Sequence, residues 1–187
     1  MTIYLIRHGK TVANEKHLYC GSTDLPLSEA GRVELMRRSC QVPAGVRFIS
    51  SGMRRCNETL AILFGNVPYK VNPGFREIDF GVFEMHSYEQ LKDDPRYQEW
   101  IAGDNNANIP PEGESGAQMT VRVMAAFQNI VDAGQNTVII THGGVIAAIL
   151  ENLFPGENKN RYQWQPRPGQ GYCLEIDGAQ MSYRPYT

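Results

Sequence analysis

The chain has 187 residues, of which 42% are hydrophobic and 20% charged, and its formal net charge at pH 7 is −2. This length suits one domain with a well-buried core, and the composition excludes an intrinsically disordered chain. The sequence contains neither a block of basic residues nor an uncharged apolar run of membrane-spanning length. It therefore predicts neither a nucleic-acid partner nor a membrane protein.

The cysteines and the amino terminus favour a cytoplasmic location. The four cysteines occur singly, without a C-x-x-C pair or a histidine at zinc-ligand spacing: Cys20, Cys40, Cys56 and Cys173. They are predicted to be reduced thiols. The apolar run at the amino terminus ends at Arg7 and is too short for a secretory signal.

Short apolar runs of β-forming residues alternate along the chain with segments that repeat apolar residues at helical spacing. The runs at 3–6 and 137–140 are nearly continuous, which is typical of strands buried on both faces of a sheet. Ser28 is a predicted helix N-cap, and Asp177-Gly178 is a predicted hairpin turn. In chain order, the predicted elements are strand 3–6, helix 29–39, strand 46–50, helix 53–64, strand 69–71, helix 115–132, strand 137–140, helix 145–154, and strands 173–176 and 180–183.

This alternation predicts an α/β fold. We expect a three-layer α/β/α sandwich in one domain over residues 1–187, with a mostly parallel sheet and an antiparallel hairpin at one edge. The long irregular stretch 83–114 is rich in Asp, Asn, Pro and aromatic residues. Connections of this length are usually functional or disordered, and the aromatic residues favour a packed, lid-like insertion.

Polar residues follow three of the predicted strands directly. Because ligands of open α/β sheets bind beyond the carboxyl ends of the strands, we expect two histidines and at least two arginines to meet in one crevice. The crevice would be locally positive in a protein of net negative charge. The three clusters are Arg7-His8-Gly9, Ser50-Ser51 with Arg54 and Arg55, and Thr141-His142-Gly143-Gly144.

These residue types suit phosphoryl transfer. Guanidinium groups bind phosphate oxygens bidentately. A neutral imidazole such as that of His8 can attack phosphorus, and flanking arginines lower its pKa and keep it neutral. His142 can donate to the phosphoryl group, while Gly9 and Gly143 let backbone amides approach it.

Two choices stay open on the pattern alone. Arg54 and Arg55 are adjacent on a predicted helix, where a solvated surface is the ordinary place for either. A phosphatase also needs an acid that protonates the leaving alkoxide, and the run 75–81 offers both Glu77 and Asp79.

Several blocks, in order along the chain, resemble the signatures of the histidine phosphatase superfamily, also called the phosphoglycerate mutase-like superfamily. Residues 7–14 resemble R-H-G-x-[ST]-x-x-N, and residues 50–59 resemble S-S-x-L-x-R-A-x-x-T, which selects Arg55 over Arg54. Further blocks resemble family motifs at 21–31, 111–115 and 141–145. Glu77 stands four residues before Gly81, as the acid of the family does, which selects it over Asp79.

The resemblance implies a phosphoglycerate mutase-like fold and a reaction in which His8 is phosphorylated and the phosphohistidine is then hydrolysed. Arg7, Arg55 and His142 would clamp the phosphoryl group, and Glu77 would protonate the leaving group. The resemblance also assigns Asn14 to the phosphate pocket and places Cys20 and Gly21 where the mutases contact substrate. The implied partner is a small-molecule phosphomonoester, no metal or organic cofactor is implied, and homodimer formation is left open.

A phosphatase is favoured over the alternatives, a cofactor-dependent phosphoglycerate mutase and a non-catalytic phospholigand-binding protein. The stretch 84–115 carries Lys92 and Arg96 against eight acidic residues, whereas a mutase needs extra cations there for bisphosphoglycerate. Mutases of the family are also expected to be longer. Tyr88, Tyr97 and Trp100 would suit a less charged, partly apolar leaving group.

The chain also departs from the common family pattern. Phe83-Glu84-Met85 stands in place of the commoner W-E-G. That variant, the Gly-Gln-Gly-Tyr-Cys segment at 169–173 and the short length resemble the α-ribazole phosphatases of cobalamin biosynthesis.

Overall fold

The computed structural model describes residues 1–104, 106–178 and 180–187. Among these residues the chain forms a six-stranded sheet, helices on both of its faces, and short 3₁₀ turns at Pro73–Phe75, Gly81–Phe83 and Pro155–Glu157. The strands and helices, in chain order, are β1 (Thr2–Arg7), α1 (Val12–Glu15), α2 (Glu29–Met36), β2 (Arg47–Ser50), α3 (Arg54–Phe64), β3 (Tyr69–Val71), α4 (Tyr88–Leu91), α5 (Pro95–Ile101), α6 (Gly116–Asp132), β4 (Thr137–Thr141), α7 (Gly143–Leu153), α8 (Arg161–Trp164), β5 (Gly171–Asp177) and β6 (Gln180–Tyr186).

The sheet order is β3-β2-β4-β1-β5-β6. Strands β3, β2, β4 and β1 are parallel, while β5 runs antiparallel to β1 and forms an antiparallel pair with β6 at the edge. This topology confirms the predicted mostly parallel sheet with an antiparallel edge hairpin. Asp177 at the end of β5 pairs with Gln180 at the start of β6, and residue 179 lies outside the described residues.

Two hydrophobic clusters separate the three layers. Alternate residues of a strand point to opposite faces, and Ile3 and Leu5 of β1 pack with residues of α6 and α7. Tyr4 and Ile6 of the same strand pack on the other face with residues of α3. The continuous apolar run at the amino terminus therefore results from burial on both faces, and the predicted α/β/α sandwich is confirmed.

Helix α7 begins at Gly143, two residues before the predicted start at residue 145. Its N-cap residue, His142, makes no side-chain cap hydrogen bond. Instead, the Glu77 carboxylate accepts a hydrogen bond of 2.9 Å from the Gly144 amide. A carboxylate from a distant loop thus satisfies a donor at the helix start, which local sequence rules cannot anticipate.

The segment 83–114, whose residue 105 lies outside the described residues, contains α4 and α5. Its aromatic residues form a separate cluster in which Phe83, Tyr97 and Trp100 are buried together with Leu91. Tyr97 is 1% exposed and Trp100 is 9% exposed, so both rings pack inside this cluster and neither presents an open face to a leaving group. Tyr88 remains exposed. No helix within the described ranges is long and apolar enough to cross a membrane.

Candidate active site

The carboxyl ends of β1, β4 and β2 bring the three polar clusters together. Arg7 pairs in register with Thr141, and Ser50 pairs with Ile140, so these strands end at the same edge of the sheet. The rings of His8 and His142 consequently lie with their centroids 5.1 Å apart in an edge-to-face arrangement. The predicted crevice is present, and both of its histidines are almost fully buried.

His8 is held in the state that a nucleophile needs. Its Nδ1 lies 2.7 Å from the carbonyl oxygen of Gly9, to which only a protonated ring nitrogen can donate. The lone pair is therefore on Nε2. Burial, and then the positive charges of Arg55 and Arg7, hold the pKa of His8 well below its ordinary value.

Arg55 on α3 is buried, with 1% of its surface exposed, and each of its three guanidinium nitrogens donates a hydrogen bond. Its Nε donates to His142 Nδ1 at 3.3 Å, its Nη1 to the Thr23 carbonyl at 2.8 Å, and its Nη2 to the Gly21 carbonyl at 2.8 Å. Among the described residues it forms no salt bridge. The neighbouring Arg54 is solvent-facing and pairs with Glu58, so the fold places Arg55, and not Arg54, in the crevice.

His142 has its tautomer set by Arg55. A guanidinium can only donate, so His142 Nδ1 is the acceptor and its Nε2 carries the proton. That Nε2 lies 3.0 Å from the Ser51 hydroxyl and 3.6 Å from the Cys56 sulfur. Burial, followed by the charge of Arg55, keeps the pKa of His142 well below its ordinary value.

Arg7 supplies a second cation, which is half-buried. Its Nη1 donates to the Pro166 carbonyl at 2.9 Å, while its Nε is buried and has no hydrogen-bond partner within the described part of the chain. Burial lowers the pKa of Arg7, an effect that the charge of Glu77 opposes. A Cβ at Gly143 would lie 2.9 Å from the Arg7 guanidinium carbon, so this glycine is required by the close approach of Arg7. The buried, unpartnered donor suits an anion oxygen.

Glu77 lies beside the start of α7, next to the histidine cluster. Its Oε2 accepts from the Gly144 amide at 2.9 Å, and its Oε1 accepts from the Ile78 amide at 3.1 Å. It lines a cavity of about 340 Å³, together with Asp79. Asp79 uses its Oδ1 for the Ser22 hydroxyl and the Gly81 amide. Glu77 is therefore the carboxylate of this pair that contacts the helix following His142.

The remaining predicted residues have different placements. Asn14 lines a second cavity, of about 470 Å³, together with Arg7, and its Oδ1 accepts from Thr11. Gly21 contacts Arg55 through its carbonyl group. The half-buried Cys20 donates its thiol to the Thr23 carbonyl at 3.6 Å, and burial raises the pKa of this thiol.

The expectation for Gly9 needs correction. Its amide donates to the Thr59 hydroxyl at 2.9 Å and is therefore not directed at a phosphate. Ser51, which belongs to the second predicted cluster, contacts His142. Two residues that the pattern did not assign to the site also reach it: Arg122 donates to the Glu77 carbonyl at 3.0 Å, and Glu84 binds the segment that contacts Arg55. Only the departure from W-E-G drew attention to the neighbourhood of Glu84.

Comparison with known proteins decides the family. The sequence model of the histidine phosphatase superfamily (branch 1) matches residues 3–186. The chain belongs to the histidine phosphatase superfamily. The family resemblance seen in the sequence motifs is thereby confirmed.

Relatives of this chain are named either as phosphoglycerate mutases or as α-ribazole phosphatases. The probable phosphoglycerate mutase GpmB of Yersinia enterocolitica is 29% identical, over 95% of this chain and 93% of that protein. The structure of the α-ribazole phosphatase from Shigella flexneri matches with a TM-score of 0.86 and 25% identity, covering 100% of this chain and 96% of that one. The structure of phosphoglycerate mutase from Thermus thermophilus matches with a TM-score of 0.74 and 29% identity, covering 100% and 99%.

Relatives with either kind of name match over nearly their whole length. The chain covers 93% of the probable phosphoglycerate mutase and 99% of the Thermus thermophilus structure. The superfamily membership establishes a phosphatase or a mutase.

Proposed function

We propose that this protein is a phosphomonoester phosphatase that acts through a phosphohistidine on His8. The observation that carries the proposal is the hydrogen bond from His8 Nδ1 to the Gly9 carbonyl, which leaves the Nε2 lone pair free in a buried, positive crevice. Arg7 and Arg55 supply guanidinium donors, and neither forms a salt bridge within the described residues. The proposal keeps the cytoplasmic location predicted from the sequence.

In the first half of the reaction, His8 Nε2 attacks phosphorus. The P–O bond to the leaving group breaks, its electron pair stays on the leaving oxygen, and Glu77 gives that oxygen a proton. Each Glu77 oxygen accepts one amide hydrogen and keeps a second lone-pair direction, where the proton is carried. In the second half, the Glu77 carboxylate takes a proton from water, the water oxygen attacks phosphorus, and the N–P bond breaks.

The lid-like segment supports a phosphatase over a mutase. Lys92 pairs with Glu89 at 2.7 Å, and Arg96 pairs with Asp94 at 2.7 Å. Both cations of 84–115 are thus neutralised at the surface and are not directed toward a second phosphate group. α-Ribazole 5′-phosphate, a substrate class of cobalamin biosynthesis, is the finer proposal, supported by the sequence likeness at 83–85 and 169–173 and by the Shigella flexneri relative.

Turnover of p-nitrophenyl phosphate tests the reaction class. We expect activity in the wild type, loss of at least about a thousandfold in His8→Ala, and an acid-labile phosphoryl group that is trapped on the wild type but not on His8→Ala. His17→Asn is the matched control, because His17 is exposed and its φ of 53° is tolerated by asparagine. Full activity in His8→Ala would exclude the mechanism, and binding without turnover in the wild type would favour a phospholigand-binding protein.

A substrate assay separates the finer alternatives. Isomerisation of 3-phosphoglycerate, measured with and without 2,3-bisphosphoglycerate, should be far slower than ester hydrolysis. Robust isomerisation would instead establish a mutase. Values of kcat/KM for a panel of phosphomonoesters should be highest for α-ribazole 5′-phosphate, and a higher value for another ester would replace that substrate.

A further inference from the structure

The carboxylate of Glu84 is surrounded by donors from one short segment, residues 21–23. It accepts from the Gly21 amide at 2.9 Å, the Ser22 amide at 3.0 Å and the Thr23 amide at 3.2 Å. The Thr23 hydroxyl adds a bond of 2.6 Å, and the Phe80 amide adds one of 3.1 Å. Three successive amides that point at one anion form a backbone nest, here occupied by a side chain of the same protein.

The opposite side of the same segment contacts Arg55. The carbonyl groups of Gly21 and Thr23 each accept a hydrogen bond of 2.8 Å from a terminal nitrogen of Arg55. Segment 21–23 therefore lies between a carboxylate that binds its amides and a guanidinium that binds its carbonyls. A displacement of the segment would move both acceptors of Arg55 together.

Arg55 has few other groups that fix its direction. It is 1% exposed, its Nε contacts His142, and it forms no salt bridge with any described residue. A buried guanidinium that lost the two carbonyls would need to turn toward other acceptors, because a buried donor left unpaired is costly. The direction of its terminal nitrogens is thus set largely by segment 21–23.

We propose that Glu84 is a positioning residue, which directs Arg55 toward the phosphoryl group by holding segment 21–23. The proposal rests on the proposed function only for the identity of the anion that Arg55 binds. Glu84 itself does not contact the reacting atoms in this account. Glu84 acts indirectly, through the backbone of segment 21–23, on the guanidinium group of Arg55. That group must be positioned to within a fraction of an ångström for catalysis.

Glu84→Gln tests this role, because the amide keeps the shape of the side chain but loses the charge and turns one acceptor into a donor that faces backbone amides. We expect kcat for p-nitrophenyl phosphate to fall by about 10- to 100-fold. The affinity for orthovanadate, an oxyanion that mimics the transferring phosphoryl group, should fall by a similar factor, while KM changes by less than about threefold. Glu89→Gln is the control of equal charge change, because Glu89 pairs with Lys92 at the surface, and it should leave all three values unchanged.

A double-mutant cycle separates positioning from a general structural effect. If Glu84 acts through Arg55, Glu84→Gln should cost less than about threefold in vanadate affinity when Arg55→Lys is already present. An undiminished cost in that background, or wild-type values for Glu84→Gln alone, would overturn the proposal. Thr23→Val removes only the hydroxyl contact and should give a smaller loss in the same direction, and it decides the matter if Glu84→Gln does not fold. Vanadate binding is measured by calorimetry, so an absence of phosphatase turnover would count against the proposed function and not against the role of Glu84.

Discussion

Two arginines in this protein, Arg55 and Arg122, occupy contrasting environments. Arg55 donates to His142 and to carbonyl groups and forms no salt bridge among the described residues. Arg122 on α6 binds both carboxylate oxygens of Glu114 at 2.7 Å. It also donates to the carbonyls of Gly74, Arg76 and Glu77, at distances of 2.7 to 3.0 Å.

The difference shows how the same residue type is used for binding and for stability. The charge of Arg122 is neutralised by Glu114, and all its donors are used to fix the loop that carries Glu77. Among the residues that the structure describes, Arg55 contacts only dipolar groups, so its charge is not neutralised by a carboxylate although the whole chain has a net charge of −2. A buried cation such as Arg55 can bind an anion that the protein does not itself supply.

The largest expected effect is the loss of activity when Arg55 is replaced, because Arg55 is the arginine of this pair that has no carboxylate partner among the described residues. Arg55→Ala should lower kcat/KM for p-nitrophenyl phosphate by about a thousandfold, because it removes a donor to the transferring group. The free energy of unfolding should fall by about 1 to 3 kcal/mol, because the carbonyls of Gly21 and Thr23 lose their donor and a cavity is left. Steady-state kinetics and urea unfolding measure the two quantities.

Arg54→Ala is the matched control for that variant. Its side chain adjoins Arg55 in sequence but is exposed and pairs with Glu58 at 3.1 Å. Activity within about twofold of wild type is expected, as for other surface ion pairs. A loss of less than tenfold in Arg55→Ala would contradict the assignment of Arg55 to phosphoryl binding.

For Arg122, whose charge is neutralised by Glu114, the expected effect on activity is much smaller. Arg122→Ala should lower the free energy of unfolding by about 2 kcal/mol, because it leaves Glu114 and the carbonyls of the 74–77 loop without their donor. Activity per folded molecule should fall by less than about tenfold. Glu114→Gln keeps the shape and should give a smaller loss of stability. A larger effect of Arg122→Ala on kcat than on stability would remove the contrast between the two arginines.

The two buried histidines of the site, His8 and His142, predict that the free energy of unfolding depends on pH. Both have pKa values held well below the ordinary value of about 6.5, so the unfolded chain binds more protons than the folded chain as the pH falls below that value. Stability is therefore full above about pH 6.5 and decreases below it, by up to about 1.4 kcal/mol per pH unit for each histidine. Urea unfolding between pH 5 and 7.5 measures the slope, which should be about halved in His142→Gln. An unchanged slope would mean that His142 is not buried as a neutral ring.

The sequence predicted the sheet, its parallel and antiparallel parts, and the three strand ends that meet, because burial on two faces leaves continuous apolar runs. The contacts between those ends were not predictable. Gly9 was expected to offer its amide to a phosphate, but the amide is bound by Thr59, a residue 50 positions away. The aromatic residues Tyr97 and Trp100 could be recognised, but composition does not tell whether a ring packs inward or faces a ligand. The contacts of Glu84 could not be predicted either, since all but one of its partners are backbone amides, which every residue except proline has.

The smallest expected effect is on stability and comes from Met85, the residue that follows Glu84. It stands where the family commonly has glycine, and its φ is +62°, in the left-handed region that costs an L-residue about 1 to 2 kcal/mol. Met85→Gly removes this strain but gives the unfolded chain more conformational freedom, which costs about 0.5 to 1 kcal/mol. The net expectation is a gain in unfolding free energy of less than about 1 kcal/mol, with kcat within twofold of wild type because the amide of Met85 keeps its 2.7 Å bond to the Tyr19 carbonyl. Met85→Ala, which keeps a Cβ and hence the strain, should show no gain; a stabilisation equal to that of glycine would place the cost in the thioether side chain and not in the backbone.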